Sequence, residues 1–103
     1  MFLNNYETIY VLKPDITELV NLSIVNYYKV FIQAKGGQNI LIQHRGRRHL
    51  SYNMKQYYDG IYIQINYQAN GQLINLLEKS MRFNNNIVRY LTVKCDSPNT
   101  LNL

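Results

Sequence analysis

The first periodic stretch of the chain is Tyr6–Leu12 (YETIYVL), β-branched and aromatic, closed by Lys13-Pro14-Asp15. Proline carries no N–H for a sheet ladder and holds the residue before it extended, so this run reads as a strand that stops there. From Ile16 to Lys35 the period changes. Leu19, Leu22, Val25, Tyr28 and Ile32 recur at spacings of three and four, the stripe of a long amphipathic helix. Asp15 or Thr17 can cap its start, Glu18 lies near its positive end, and Gly36-Gly37 closes it in a left-handed turn.

Gln38–His44 (QNILIQH) reads as a second strand, followed at once by an arginine cluster, Arg45-Gly46-Arg47-Arg48. His49–Asp59 is polar, rich in tyrosine and irregular. Gly60–Gln68 (GIYIQINYQ) is the clearest strand, with Ile61, Ile63, Ile65 and Tyr67 on one face and Tyr62, Gln64 and Asn66 on the other. Asn70 can cap a second helix that runs to about Phe83 and turns Leu73, Leu76, Leu77 and Met81 inward. Asn84-Asn85-Asn86 then makes a turn, since Asn tolerates left-handed backbone angles. Ile87–Lys94 is the last strand.

The order β-α-β-β-α-β, without internal repeat or linker, predicts an α+β ferredoxin-like fold, the split βαβ sandwich. Both helices pack on one face of a four-stranded antiparallel sheet. Residues 1–94 form this single domain, and 95–103, with Pro98 and polar residues, are expected to be a flexible C-terminal tail. The other sheet face has no cover from this chain, yet it is substantially apolar. Ile9 and Val11 of the first strand, Tyr62 of the third, and Leu91 and Val93 of the last share it. An uncovered apolar patch marks a docking surface for a partner. The competing account is codon bias, because tyrosine-rich strands look apolar on both sides.

Composition changes the picture in two ways. The 103 residues carry eleven Lys and Arg against six Asp and Glu, a formal charge of +5, which makes a polyanion such as nucleic acid the first partner to consider. Ten Tyr, eleven Ile and fourteen Asn share A/T-rich codons, so part of the composition records a genome's bias. The single cysteine, Cys95, excludes an intramolecular disulfide framework. The first residues have no signal-peptide pattern, and no run approaches the ~18 apolar residues of a membrane span, so the expected compartment is the one of synthesis, with no membrane partner.

Catalytic constellations are scarce. His44 and His49 flank the arginine cluster with no Cys or carboxylate at a ligand spacing, the six acids are scattered, and Gly36-Gly37 fits no phosphate-loop pattern. No cofactor, metal or small-molecule substrate is expected. The basic residues are different. Arg45, Arg47 and Arg48 fall within four positions, Lys55 follows, and Arg82 and Arg89 flank the Asn triplet. Guanidinium groups bind phosphate bidentately and stack on bases, and Tyr52, Tyr57 and Tyr58 add stacking surfaces among them. The alternative for such clusters is a solvated charged loop.

Three segments, in order, resemble the bacterial-type small-subunit ribosomal protein six family. Tyr6-Glu7 with Leu12-Lys13-Pro14 is similar to its Y-E…L-x-P opening. Gly46-Arg47-Arg48-His49-Leu50-Ser51-Tyr52, with Gly60-Ile61-Tyr62 beyond, resembles its G-x-R-x-L-A-Y signature and third-strand start. Met81-Arg82-Phe83-Asn84-Asn85-Asn86-Ile87-Val88-Arg89-Tyr90 resembles its L-R-x-x-x-N-V-x-R segment. The likeness spans about residues 4 to 94. It implies the same fold and a non-enzymatic role, binding 16S-type rRNA jointly with small-subunit ribosomal protein eighteen. Matched residue by residue, it carries over Arg48, Tyr52, Arg82 and Arg89 as facing or supporting RNA. Arg45, Arg47 and Lys55 join them on charge alone. Asn53 stands where the family usually has Pro, and Asn84 and Val88 stand where basic residues are common. With the A/T bias, the resemblance places translation in a plastid stroma, or alternatively in a bacterial cytoplasm. Two other readings stand beside it: a protein-interaction module working through the open sheet face without RNA, and an acylphosphatase-like hydrolase.

Overall fold

Strand β1 (Asn4–Leu12) and strand β3 (Tyr57–Ala69) form the centre of a four-stranded antiparallel sheet of order β2-β3-β1-β4, with β2 (Gln38–Ser51) and β4 (Ile87–Cys95) at its edges. Helix α1 (Glu18–Ala34) joins β1 to β2, and α2 (Gly71–Arg82) joins β3 to β4. This computed structural model describes residues 3–51 and 57–95. The architecture is the ferredoxin-like split βαβ sandwich that the periodicity predicts. The proposed tail lies outside the described residues except for Cys95, which still pairs with Asn5 and so belongs to β4.

Each helix starts on a side-chain cap. Thr17, rather than Asp15, accepts from the Val20 N–H at 3.2 Å, and Asn70 accepts from the Leu73 N–H at 2.9 Å. At the end of α1 the Gly36 N–H donates to Gln33 O and the Gly37 N–H to Ile32 O at 2.7 Å, with Gly36 at φ +96°. This is the paired closure that a left-handed glycine allows. The Asn triplet turns differently from expectation. Among the described residues only Asn39 is a non-glycine with positive φ. The turn is held instead by the Asn84 side chain, whose Oδ1 accepts from the Asn86 N–H at 2.9 Å.

The helices bury Ile24, Val25, Tyr28 and Ile32 from α1 and Leu73, Leu77 and Met81 from α2 against Tyr10, Leu12, Ile61, Ile63, Ile65 and Tyr67 of the sheet. Leu19 and Leu22 of the predicted stripe point outward, Leu19 being 80% exposed. The reason is angular: at about 100° per residue, Leu19 lies roughly 180° around the helix from Tyr28. Leu76 is also exposed, so α2 has a narrower inner face than its leucines imply. Two tyrosines anchor the core, with the Tyr10 and Tyr28 rings 5.7 Å apart and tilted by 59°. Thr8 shares hydrogen bonds with Tyr67 Oη at 2.7 Å and Thr92 Oγ1 at 2.8 Å, linking hydroxyls of three adjacent strands, two of them buried.

Candidate nucleic-acid interface

The arginine cluster is not a loop. Strand β2 continues through it to Ser51, pairing Arg47 with Ile61, Arg48 with Gly60 and Leu50 with Tyr58. The sequence hides this extension because its residues are basic and polar instead of alternating with apolar ones. A backbone ladder pairs strands whatever side chains they carry, so periodicity alone does not reveal it. A bulge interrupts the ladder between His44 and Gly46. Gly46 adopts φ +81°, a region open to glycine at little cost, and Arg45 is the extra residue.

The bulge aims Arg45 onto the open sheet face. Its Nε and Nη2 both donate to Gln64 Oε1, at 3.1 and 2.7 Å, while Gln64 Nε2 donates to Asn66 Oδ1 at 3.0 Å. Arg45 thereby covers Gln64, which is only 7% exposed although it lies on the uncovered face. Arg47 turns the other way, its Nη1 donating to Pro14 O in the β1–α1 connection. The backbone of Arg48 stands opposite Gly60, while Tyr52 and Lys55 lie outside the described residues. Tyr57 and Tyr58 open β3 opposite Ser51 and Leu50.

The remaining cations are brought near by topology. Arg89 pairs with Val11, Val11 with Tyr62, and Tyr62 with Gly46, so Arg89 and the Arg45 bulge end one row across the sheet. Three strand spacings separate the row's ends, roughly 14 Å. Arg82 closes α2 at the same end of the molecule and is exposed, and with Lys79 it offsets the helix's negative terminus. Segments 34 residues or more apart in sequence thus place their arginines around one end of the domain.

The five docking candidates also share one face, with Ile9 between Gln64 and Leu91, Val11 between Tyr62 and Arg89, and Val93 opposite Glu7. Their exposure differs. Leu91 is 62% exposed and Val93 is exposed, Ile9 and Tyr62 are half-buried, and Val11 is buried. The face is less uniformly apolar than expected. Ile9, Val11, Leu91 and Val93 form an apolar strip along β1 and β4 that Glu7 borders, whereas an amide ladder follows β3: Gln64 bonds Asn66, and Gln68 bonds Asn5 of β1 at 3.1 Å and Asn39 of β2 at 2.6 Å. The polar residues between the isoleucines of β3 signal this ladder, but only pairing shows that they bond to one another.

A second feature has no linear signal, because it joins segments distant in sequence. Between the middle of α1 and the end of α2 lies an open cavity of about 530 Å³, lined by Tyr27, Tyr28, Phe83 and the Asn triplet together with Ser23, Ile24 and Ser80. Among the described residues no three His, Cys, Asp or Glu side chains gather as a metal site, and no helix is long and apolar enough to cross a membrane.

Comparison with known proteins accords with this arrangement. The family model described as Ribosomal protein S6 matches residues 5–94. The chain is 57% identical over 94 residues to small ribosomal subunit protein bS6c of Gracilaria tenuistipitata var. liui, covering 91% of each chain. It is 43% identical over 94 residues to small ribosomal subunit protein bS6 of Picosynechococcus sp., covering 91% of this chain and 82% of that one. The crystal structure of 30S ribosomal protein S6 from Thermotoga maritima superposes with a TM-score of 0.80 at 24% identity, covering 90% of this chain and 88% of that one, and shares its fold. The match runs through both arginine segments and the turn between α2 and β4, which sets the hydrolase reading aside: the chain belongs to the ribosomal protein S6 family, whose members are structural rather than enzymatic.

Proposed function

We propose that this chain is a structural protein of the small ribosomal subunit, of plastid or bacterial type, that binds 16S-type rRNA jointly with small-subunit ribosomal protein eighteen. The observation that carries the reading is the gathering of Arg45, Arg47, Arg48, Arg82 and Arg89 at one end of the sheet. Arginines there reach phosphates for affinity, and the apolar strip of Ile9, Leu91 and Val93 receives the partner protein, which fixes orientation. On this reading the arginines have different tasks, which their different hydrogen-bond partners support. Arg45 sits on the open face against Gln64, where it borders the protein-docking strip as well as the RNA edge. The plastid stroma is the preferred place, supported by 57% identity to the Gracilaria protein against 43% to the Picosynechococcus one.

The test is equilibrium binding of the chain with small-subunit protein eighteen to a small-subunit rRNA transcript, measured across a salt series. Replacing Arg82 or Arg89 by Ala should weaken binding and flatten the plot of log affinity against log salt by about one unit per lost phosphate contact. Affinity and slope unchanged in the double variant would overturn the RNA assignment.

A further inference from the structure

We infer that the cavity between α1 and the α2–β4 turn is a subsite for one unpaired nucleobase of the RNA, an inference that rests on the RNA-binding reading above. Its walls have the chemistry of a base. Two aromatic side chains border it in exposed positions, Tyr27 from α1 and Phe83 from the C-cap of α2, the latter 71% exposed. An aromatic ring left this far in water at a helix end contributes nothing to the core, whereas stacking on a base is open to any ring with a free face. Tyr27 is held in place for the task. Its ring meets Tyr28 edge-on at 5.0 Å and tilts against Phe31 at 6.2 Å.

The polar lining matches a base edge, which presents donors and acceptors but no charge. Carboxamides offer both in one plane, and Asn84, Asn85 and Asn86 supply three of them, with Ser23 and Ser80 adding hydroxyls. Asn84 is fixed twice, its Nδ2 donating to Tyr28 Oη at 3.2 Å and its Oδ1 accepting from the Asn86 N–H. The turn therefore keeps its shape before anything binds. No charged residue lines the cavity. Two cations, exposed Arg82 and Lys79, belong to the last turn of α2, the same turn that supplies Ser80 to the lining. A neutral aromatic-and-amide pocket within one helical turn of two cations suits the base of a nucleotide better than an acidic or apolar peptide. The volume of about 530 Å³ falls within the roughly 300–1,000 Å³ typical of small-molecule sites.

The experiment uses the full chain with small-subunit protein eighteen and a small-subunit rRNA transcript. F83A should bind roughly tenfold more weakly, within the span measured for one base stack, with its salt slope unchanged, because stacking releases no counterions. F83W restores the ring. Since the chain has no other tryptophan, its emission reports the site directly and should be quenched when RNA is added. F83A binding as tightly as the parent, or F83W emission unmoved by RNA, overturns the subsite; if R82A still loses affinity and slope, the RNA reading survives that failure. F83W emission that changes with protein eighteen alone, before RNA, assigns the cavity to protein contact and also overturns it. Loss of neither affinity nor slope in F83A, R82A and R89A alike removes the RNA reading and the subsite together.

Discussion

Two buried tyrosines differ by one hydrogen bond, and removing the same oxygen from each should move stability in opposite directions. The Tyr67 hydroxyl is bonded to Thr8 at 2.7 Å, whereas that of Tyr10, fully buried against Tyr28, has no partner among the described residues. An unsatisfied buried hydroxyl costs ~1–3 kcal/mol. Tyr10→Phe removes that cost while keeping the ring 5.7 Å from Tyr28. The gap left by one oxygen, roughly 10–15 Å³ at about 24 cal/mol per Å³, takes back only about 0.3 kcal/mol. We expect Y10F to gain about 1 kcal/mol, a rise in Tm of roughly 4–8 °C for a domain near this size. Tyr67→Phe removes a satisfied bond and leaves Thr8 with Thr92 alone, for a loss of about 1 kcal/mol. Urea unfolding of the parent and both variants, fitted with a common slope, measures the two changes. If Y10F loses as much as Y67F, the Tyr10 hydroxyl is satisfied in solution and the reasoning is wrong.

Three further outcomes are expected. Burial pushes the Tyr67 phenol up to about 12 from its ordinary 10, against a smaller opposing pull from the neighbouring Thr8 and Thr92 hydroxyls, and burial raises Tyr10 as well. The neutral phenol is the form favoured by folding. Its contribution is therefore complete below pH 10 and is lost as pH rises from 10 toward 12; unfolding free energies measured across that range should fall, and Y67F should fall less steeply. Gly46→Ala meets no neighbouring atom within 4 Å but forces a side chain onto φ +81°, so it should cost about 1–2 kcal/mol in thermal unfolding through backbone strain alone. Leu91→Asp, at a position 62% exposed, should leave stability within about 0.5 kcal/mol and abolish association with protein eighteen in a pull-down without RNA; unchanged association would remove Leu91 from the docking strip.

Much of the candidate site was legible as residue type and little of it as place. Arg45–Arg48 and Arg82–Arg89 stand out in the sequence because charge is a local property. Their convergence is not local, since it depends on the row Arg89–Val11–Tyr62–Gly46, which exists only once β1 and β3 pair in one register. Arg45 shows the limit most clearly. By charge it belongs with Arg47 and Arg48, yet one bulge sends it to Gln64 on the open face while Arg47 reaches Pro14 at the β1–α1 connection.

By itself, then, the amino-acid order determined the six elements, the caps at Asn70 and Gly36-Gly37, the inward face of β3 and the excess of positive charge. Periodicity, turn chemistry and side-chain charge act over a few residues, so a linear pattern contains them. Tertiary structure alone decided that β2 runs on through the arginines, that Leu19 and Leu76 face outward, that an amide ladder follows β3 on the open face, and that Tyr27 meets Phe83 and the Asn triplet around one cavity. Each of these depends on which segment lies across from which. That is set by strand register and by the angle at which a helix presents its face, and neither quantity is carried by any single stretch of the chain.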